Sequence, residues 1–173
     1  MQIALIGYGE VGRILAEDLR AQGHAVLVHD LKLGSEAGNP LREHAAAIGA
    51  APAASHADAV RGAELVISAV TASQTVPVAQ TCAASLCSGA FFLDLNSASP
   101  GAKIEAARLI NAHAGCYVEA AVMTSIPPYR IKVPLLLGGP DAAALQPVLA
   151  ALGFVPVFAQ PEEGGYSMGI HFL

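Results

Sequence analysis

The sequence has few of the residue patterns that mark a nucleic-acid or membrane protein. Of its 173 residues only 13% are charged, the net charge is −5, and lysine and arginine form no cluster. This balance predicts that neither nucleic acid nor an anionic membrane is a partner. Every apolar stretch is interrupted before it reaches the roughly eighteen residues that a membrane helix needs. The N-terminal apolar run is short and has no basic residues before it, unlike a signal peptide, so we expect a cytoplasmic protein.

Cysteine is also scarce, whereas apolar residues are plentiful. The three cysteines, Cys82, Cys87 and Cys116, are odd in number and lack the close spacing of metal ligands. We therefore predict reduced, mostly buried thiols and no metal site. Apolar residues make up 54% of the chain, a high share for a soluble domain. Because that much apolar surface must be covered by protein, the composition predicts either a partner subunit or a further domain, and we expect a homodimer.

A complete G-x-G-x-x-G motif at residues 7–12 follows a short apolar run near the N-terminus. After it, Ile14, Leu15 and Leu19 share one helical face, and a second strand-like run ends at Asp30. In such a unit the first glycine permits a tight turn, the second lets a pyrophosphate approach the backbone, and the third lets helix and strand pack closely. The helix N-terminus favours phosphate, and the acid accepts hydrogen bonds from a ribose.

This order of elements predicts a dinucleotide-binding site, although a glycine-rich turn also occurs in other α/β domains. The cofactor contacts predicted from this unit are Gly7, Tyr8, Gly9, Glu10, Val11, Gly12 and Asp30. Lys32 is near enough in sequence to pair with a 2′-phosphate, but the carboxylate of Asp30 would repel one. We therefore predict NAD as the cofactor, with NADP as the alternative. An S-adenosylmethionine site is disfavoured because Ile6, not an acid, precedes the first glycine.

Two later strand-like runs end in short segments that extend the predicted site. The carboxyl ends of parallel strands form the ligand crevice of such a sheet. The run at 64–70 therefore places three more residues against the cofactor, namely Val70, Thr71 and Ala72. The run at 91–95 is followed by Asn96 and Ser97, whose amide and hydroxyl groups are expected to point into the crevice and to bind cofactor or substrate. Both segments also fit ordinary strand-to-helix loops.

The rest of the chain continues to alternate strands and helices. We predict a helix from the Ser99–Pro100 cap to about residue 114, strands at 116–122, 132–137 and 154–158, a proline-stiffened loop at 123–130, and a helix that Pro147 divides. Lys103 and Lys132 are predicted to be solvated charges. This pattern predicts an α/β fold, a Rossmann-like doubly wound, mostly parallel sheet with helices on both faces. It spans residues 1–160 and is followed by a short irregular tail at 161–173.

The ordered set of motifs resembles the N-terminal domain of the 6-phosphogluconate and 3-hydroxyisobutyrate dehydrogenase superfamily. The resemblance rests on residues 7–12, Asp30, the segment 94–100, the segment 119–123 and the segment 135–139. It implies hydride transfer between a nicotinamide cofactor and a small hydroxy acid. It also implies that Asn96 and Ser97 contact the nicotinamide ribose and the substrate. In the family a Ser-Gly-Gly loop binds the substrate. Thr124, Ser125 and Ile126 occupy the position of that loop here, without its glycines, and Ser125 is the candidate substrate contact.

The same resemblance implies a catalytic lysine on the first long helix of a C-terminal helical domain. The residues from 161 onward do not read as that helix, because Gly164, Gly165 and Gly169 interrupt it. Neither Lys103 nor Lys132 matches the position of the catalytic lysine. We therefore expect the helical domain to be absent from this chain, and whether the chain turns over a substrate stays open. The alternative is a non-catalytic nucleotide-sensing or assembly module.

Overall fold

The computed structural model describes residues 1–158, so the predicted boundary at residue 160 and the predicted tail at 161–173 lie outside the described residues. The described part contains eight strands and seven α-helices. The strands are β1 (Gln2–Ile6), β2 (Ala25–His29), β3 (Ala51–Pro52), β4 (Leu65–Ser68), β5 (Phe91–Asp94), β6 (Cys116–Val122), β7 (Pro134–Gly138) and β8 (Val155–Phe158). The helices are α1 (Glu10–Ala21), α2 (Asn39–Ile48), α3 (His56–Val60), α4 (Thr75–Ala83), α5 (Pro100–Ala112), α6 (Ile126–Tyr129) and α7 (Ala142–Leu152).

All the strands form one sheet in the order β3-β2-β1-β4-β5-β6-β7-β8. The strands from β3 to β6 run parallel, β7 runs antiparallel to β6, and β8 runs parallel to β7. The order therefore reverses between β1 and β4, where a crevice opens at the carboxyl ends of the strands. The predicted Rossmann-like, mostly parallel sheet is confirmed.

The two faces of the sheet are covered by different helices. Along β1, Ile3 and Leu5 belong to one core cluster, while Ala4 and Ile6 belong to the other. Helices α1, α2 and α7 pack on the first face, and helices α3, α4 and α5 pack on the second. Since successive side chains of a strand point to opposite faces, nearly continuous apolar strands are what a doubly covered sheet requires. The prediction of helices on both faces is confirmed.

Local capping signals act at two helix ends, and the sequence predicts the first of them, the Ser99–Pro100 cap of α5. The Ser99 hydroxyl accepts a hydrogen bond from the Ala102 N–H at 3.3 Å, and Pro100 begins α5. At the C-terminal end of α2, Gly49 adopts φ +72° in the left-handed region. Both residues therefore act locally, through a side-chain acceptor and through freedom from a Cβ.

Two predicted elements in the last third of the chain differ in the structure. Helix α7 is continuous through Pro147, which we predicted would divide it. Pro147 has no N–H to donate to the carbonyl of Ala143, four residues earlier in the helix. Both residues are exposed, so water can donate to that carbonyl instead, and the leucines of the opposite face stay packed. The predicted loop at 123–130 instead contains α6, in which Pro127 and Pro128 occupy the first turn, where proline is tolerated.

The described part of the chain lacks membrane-spanning helices, metal clusters and disulfides. Among residues 1–158, no helix is both long and apolar enough to cross a membrane. No group of His, Cys, Asp or Glu in that part could hold a metal ion. The three cysteines are free thiols: Cys82 is buried, Cys116 half-buried and Cys87 exposed. Burial raises the pKa of the Cys82 thiol to about 12, so this thiol stays protonated at neutral pH.

Candidate cofactor-binding site

Two glycines of the motif are required by packing within the protein. Gly7 adopts φ +91°, and a Cβ built on it would lie 2.2 Å from the Ala69 carbonyl oxygen at the end of β4. A Cβ on Gly12 would lie 2.1 Å from the Gly7 carbonyl oxygen. The first glycine therefore lets β1 turn against β4, and the third lets α1 pack on that turn.

The second glycine of the motif, Gly9, faces open space. A Cβ built on Gly9 would meet no protein atom within 4 Å, and its backbone is extended. Gly9 is the N-cap of α1 and contributes no side-chain cap, so the first N–H groups of the helix have no partner within the helix. A position where the protein leaves room for a Cβ, directly at a helix N-terminus, fits a bound pyrophosphate.

Asp30, at the end of β2, is held next to the glycine-rich turn. Its Oδ2 accepts a hydrogen bond from the Tyr8 N–H at 3.0 Å, and its Oδ1 accepts one from the Lys32 N–H at 3.0 Å. Each carboxylate oxygen can accept a second hydrogen bond. The carboxylate is half-exposed and oriented by backbone donors, which is the arrangement that fits the hydroxyls of a ribose.

The side chain of Tyr8 connects the glycine-rich turn to α2. It is fully buried, and its hydroxyl lies 2.7 Å from His44 Nδ1, while His44 Nε2 lies 2.7 Å from Glu17 Oε1. Burial, reinforced by the negative charge of Glu17, raises the pKa of Tyr8 to about 12. The hydroxyl therefore stays protonated and can donate to His44. A hydrogen bond from Arg130, and to a smaller extent one from His44, lowers the pKa of Glu17, so Glu17 is ionised at neutral pH.

Arg130 ties the segment after α6 to the outer side of α1. Its guanidinium contacts Asp18 Oδ1 at 2.8 Å and Glu17 Oε2 at 2.7 Å, and the neighbouring Ile131 N–H donates to Asp18 Oδ2 at 3.0 Å. Arg130 itself adopts φ +54°, a region that costs energy for residues other than glycine. These contacts hold the strained segment that directly follows α6.

A cavity of about 420 Å³ lies beside the N-terminus of α1, at the carboxyl ends of β4, β5 and β6. Eight predicted site residues line it together: Glu10, Val11, Val70, Thr71, Ala72, Asn96, Ser97 and Ser125. The lining also includes Ala69, Leu95, Val122, Thr124, Ile126 and Pro127, which the predicted set of site residues does not contain. Gly7, Tyr8, Gly9, Gly12 and Asp30 lie outside this lining. The predicted site is thus divided between the cavity and the glycine-rich turn.

Asn96 lines the cavity, but its side chain is engaged within the protein. Its Oδ1 accepts a hydrogen bond from the Val70 N–H at 2.7 Å, and its Nδ2 donates one to Ser68 Oγ at 3.1 Å. The sequence predicted a side chain free to point into the crevice, and the structure instead uses it to join the ends of β4 and β5. Ser97, the next residue, is exposed at the cavity.

Near the site, Lys103 is the residue whose environment differs most from the prediction. It was predicted to be solvated, but it is only 5% exposed, and its Nζ lies 2.9 Å from Oδ1 of the fully buried Asp94. The helical period could have predicted this burial. Lys103 lies three, four and seven residues before Ala106, Ala107 and Ile110, so it shares their buried face of α5. The other predicted solvated lysine, Lys132, is exposed as expected.

Comparison with known proteins agrees with this fold. Residues 2–157 match the sequence profile of the family described as the NAD binding domain of 6-phosphogluconate dehydrogenase. A conserved hypothetical protein from Sinorhizobium meliloti 1021 is 36% identical, with a TM-score of 0.85 over 93% of this chain and 55% of its own. Conserved protein MTH1747, described as structurally similar to 3-hydroxyacid dehydrogenases, is 26% identical, with a TM-score of 0.79 over 94% of this chain and 58% of its own.

A third similar structure is that of a dehydrogenase. The 3-hydroxyisobutyrate dehydrogenase of Mycobacterium tuberculosis, at 24% identity, shares the fold with a TM-score of 0.77 over 91% of this chain and 54% of its own. No curated protein matches the chain. The chain spans little more than half the length of these solved structures. The profile match nevertheless covers most of the chain and confirms the resemblance stated above. The chain belongs to the family of NAD-binding domains of 6-phosphogluconate dehydrogenase.

Proposed function

We propose that this chain forms the NAD-binding part of an oxidoreductase that transfers hydride between nicotinamide and a small hydroxy acid. The observation that carries the proposal is the open space at Gly9, directly at the N-terminus of α1 and between Asp30 and the cavity. A bound nicotinamide cofactor would supply the hydride acceptor or donor. The residues of this chain would bind it, orient it and hold a substrate beside it.

The two halves of the cofactor would contact different parts of the chain. Asp30 accepts hydrogen bonds from the adenosine ribose, and the backbone around Gly9 receives the pyrophosphate. Because the strand order reverses between β1 and β4, the nicotinamide half crosses toward the cavity under Val70 and Asn96. The hydroxyls of Ser97 and Ser125, both exposed at that cavity, are then placed to hold a substrate.

A calorimetric titration of the chain with NAD, NADH, NADP and NADPH tests the proposal directly. We expect saturable binding of at least one reduced and one oxidised form, with NADH bound more tightly than NADPH. A chain that binds none of the four at millimolar concentration would contradict the proposed function. The predicted homodimer and the non-catalytic alternative stay predictions.

Substituting Gly9 should weaken cofactor binding without weakening the fold. In Gly9→Ala, the new methyl group occupies space that the protein leaves empty but that a pyrophosphate needs. We expect the Kd for NADH to rise at least about tenfold, with an unchanged thermal unfolding midpoint. Gly101→Ala is the matched control, because a Cβ at Gly101 also meets no protein atom within 4 Å and this residue lies outside the cavity lining. Equal NADH affinity in both variants would contradict this use of Gly9.

Asp30 should set the preference between NAD and NADP. Asp30→Asn removes the negative charge that repels a 2′-phosphate, and the neutral amide is a weaker acceptor for a ribose hydroxyl. We expect the preference for NADH over NADPH to fall about tenfold. The ratio of the two Kd values is the measurement, because any general disturbance of the turn affects both cofactors alike. Asp141→Asn, at the N-cap of α7, should leave the ratio unchanged.

A further inference from the structure

A buried polar network lies beneath the cavity, where β4 and β5 end, and it includes Tyr117 from the start of β6. Asp94, the last residue of β5, is fully buried, and its carboxylate accepts from three groups. Oδ1 accepts from Lys103 Nζ at 2.9 Å and from the Asn96 N–H at 2.8 Å, and Oδ2 accepts from the Tyr117 hydroxyl at 2.6 Å. Lys103 also donates to the Asp94 carbonyl oxygen at 3.3 Å. None of Asp94, Lys103 and Tyr117 belongs to the cavity lining.

This network continues to the cavity through Asn96. Asp94 holds the backbone of Asn96, and the Asn96 side chain accepts from the Val70 N–H at 2.7 Å while donating to the buried Ser68. Both Val70 and Asn96 line the cavity. A chain of short hydrogen bonds therefore runs from a helix on one face of the sheet to the loop that follows β4.

A buried charge is costly unless a charged partner and hydrogen bonds compensate it. Transferring a lysine and an aspartate out of water costs several kcal/mol per ion, and an apolar pair of similar size often stabilises a fold equally well. The pair here lies directly below a binding crevice, and it orients a residue that lines it. Stability alone therefore does not account for the pair, and its hydrogen bond to the Asn96 N–H connects it to the cavity.

We propose that Lys103 is a positioning residue for the nicotinamide half of the cofactor, acting through Asp94 and Asn96 on the backbone of Val70. The inference rests on the proposed function. Lys103 neutralises the carboxylate that anchors Asn96, and Asn96 in turn fixes the loop after β4. Without the ammonium group, Asp94 is left buried with two neutral donors, and its hold on Asn96 changes.

Comparing the affinity for NADH with the affinity for ADP, which lacks the nicotinamide riboside, distinguishes a positioning role of Lys103 from a merely structural one. ADP contains the adenosine, the ribose and the pyrophosphate, so its binding depends on Asp30 and the glycine-rich turn. NADH contains these groups and the nicotinamide riboside, so its binding also depends on Val70 and Asn96. In Lys103→Met we expect the Kd for NADH to rise about tenfold, the effect of one lost charge-assisted hydrogen bond. The Kd for ADP should change less than about twofold.

Calorimetric titrations of the chain with NADH and with ADP give the measurement. Lys132→Met, which removes an exposed lysine, is the matched control and should leave both Kd values unchanged. Tyr117→Phe removes another donor to Asp94 while keeping the ring that stacks on Phe92, and it should shift the NADH-to-ADP affinity ratio in the same direction by a smaller factor. If Lys103→Met does not fold by circular dichroism, the ratio for Tyr117→Phe decides the proposal.

Two results would overturn the inference. Equal losses of NADH and ADP affinity would assign Lys103 to general stability, and an unchanged ratio in both folded variants would show that the network does not reach the cofactor. Failure of the unmodified chain to bind NADH is a different result, because it overturns the proposed function itself and the inference with it. The unmodified protein thus distinguishes the two failures.

Discussion

Replacing Gly7 with alanine is expected to lower the free energy of unfolding by about 4 kcal/mol, the largest effect of any substitution proposed for this chain. Gly7 adopts φ +91°, where an L-residue is strained, and its Cβ would lie 2.2 Å from the carbonyl oxygen of Ala69. That oxygen belongs to the backbone beside a central strand, so it cannot turn aside as a flexible side chain could. Because domains are stable by only about 5–15 kcal/mol, a substantial part of the stability should be lost.

Urea unfolding followed by circular dichroism measures this loss. Gly34→Ala is the control, since a Cβ at Gly34 meets no protein atom within 4 Å and its φ is not positive. The control should differ from the unmodified chain by less than about 0.5 kcal/mol. A Gly7→Ala variant within about 1 kcal/mol of the unmodified chain would show that β1 can turn toward α1 in another way.

Asp18→Ala is expected to lower the free energy of unfolding by about 2 kcal/mol. The carboxylate accepts from the guanidinium of Arg130 and from the backbone N–H of Ile131, across more than a hundred residues of sequence. Losing the acceptor of a part-buried N–H accounts for most of the expected effect, because the ion pair is partly solvated and so contributes less. The strained backbone of Arg130, at φ +54°, would also lose a restraint.

The same urea unfolding experiment compares Asp18→Ala with Asp141→Ala. Asp141 precedes α7 and makes no side-chain cap hydrogen bond, so its removal should cost less than about 1 kcal/mol. Equal effects of the two substitutions would mean that the contact between α1 and the segment after α6 contributes nothing beyond general surface charge.

The predicted cofactor contacts differ in how far local sequence could locate them. The glycine-rich turn and Asp30 could be predicted because a strand, a turn and a helix next to each other in sequence fix their geometry. The positions of Val70 and Ser97 at the cavity could be predicted because parallel strands end at the same edge of a sheet. Asn96 shows the limit of this reasoning: its position at the cavity was predicted, but its hydrogen bond to Val70 depends on how two strands lie side by side.

Lys103, Asp18 and Arg130 mark what local reasoning missed. A lysine near a helix start is usually solvated, and its burial follows from the carboxylate of Asp94, which reaches it only after β5 and α5 pack. Likewise, Arg130 meets Asp18 because the segment after α6 folds back over α1. The burial of Lys103 follows the helical period of α5, but neither ion pair leaves a pattern in the sequence that reveals its partner.

The amino-acid sequence by itself determined the class of fold, the strand–turn–helix unit at the N-terminus and the family. The fold class and the N-terminal unit depend on the period of apolar residues and on glycine spacing, which act over a few neighbouring residues. The family follows from the ordered set of motifs along the chain. The tertiary structure alone decided that Gly9 faces open space while Gly7 and Gly12 are packed, and that Asp94 and Lys103 form a buried pair beneath the cavity. The reason is that burial and hydrogen-bond partners arise from distant segments brought together, and a charged side chain has no fixed environment until they meet.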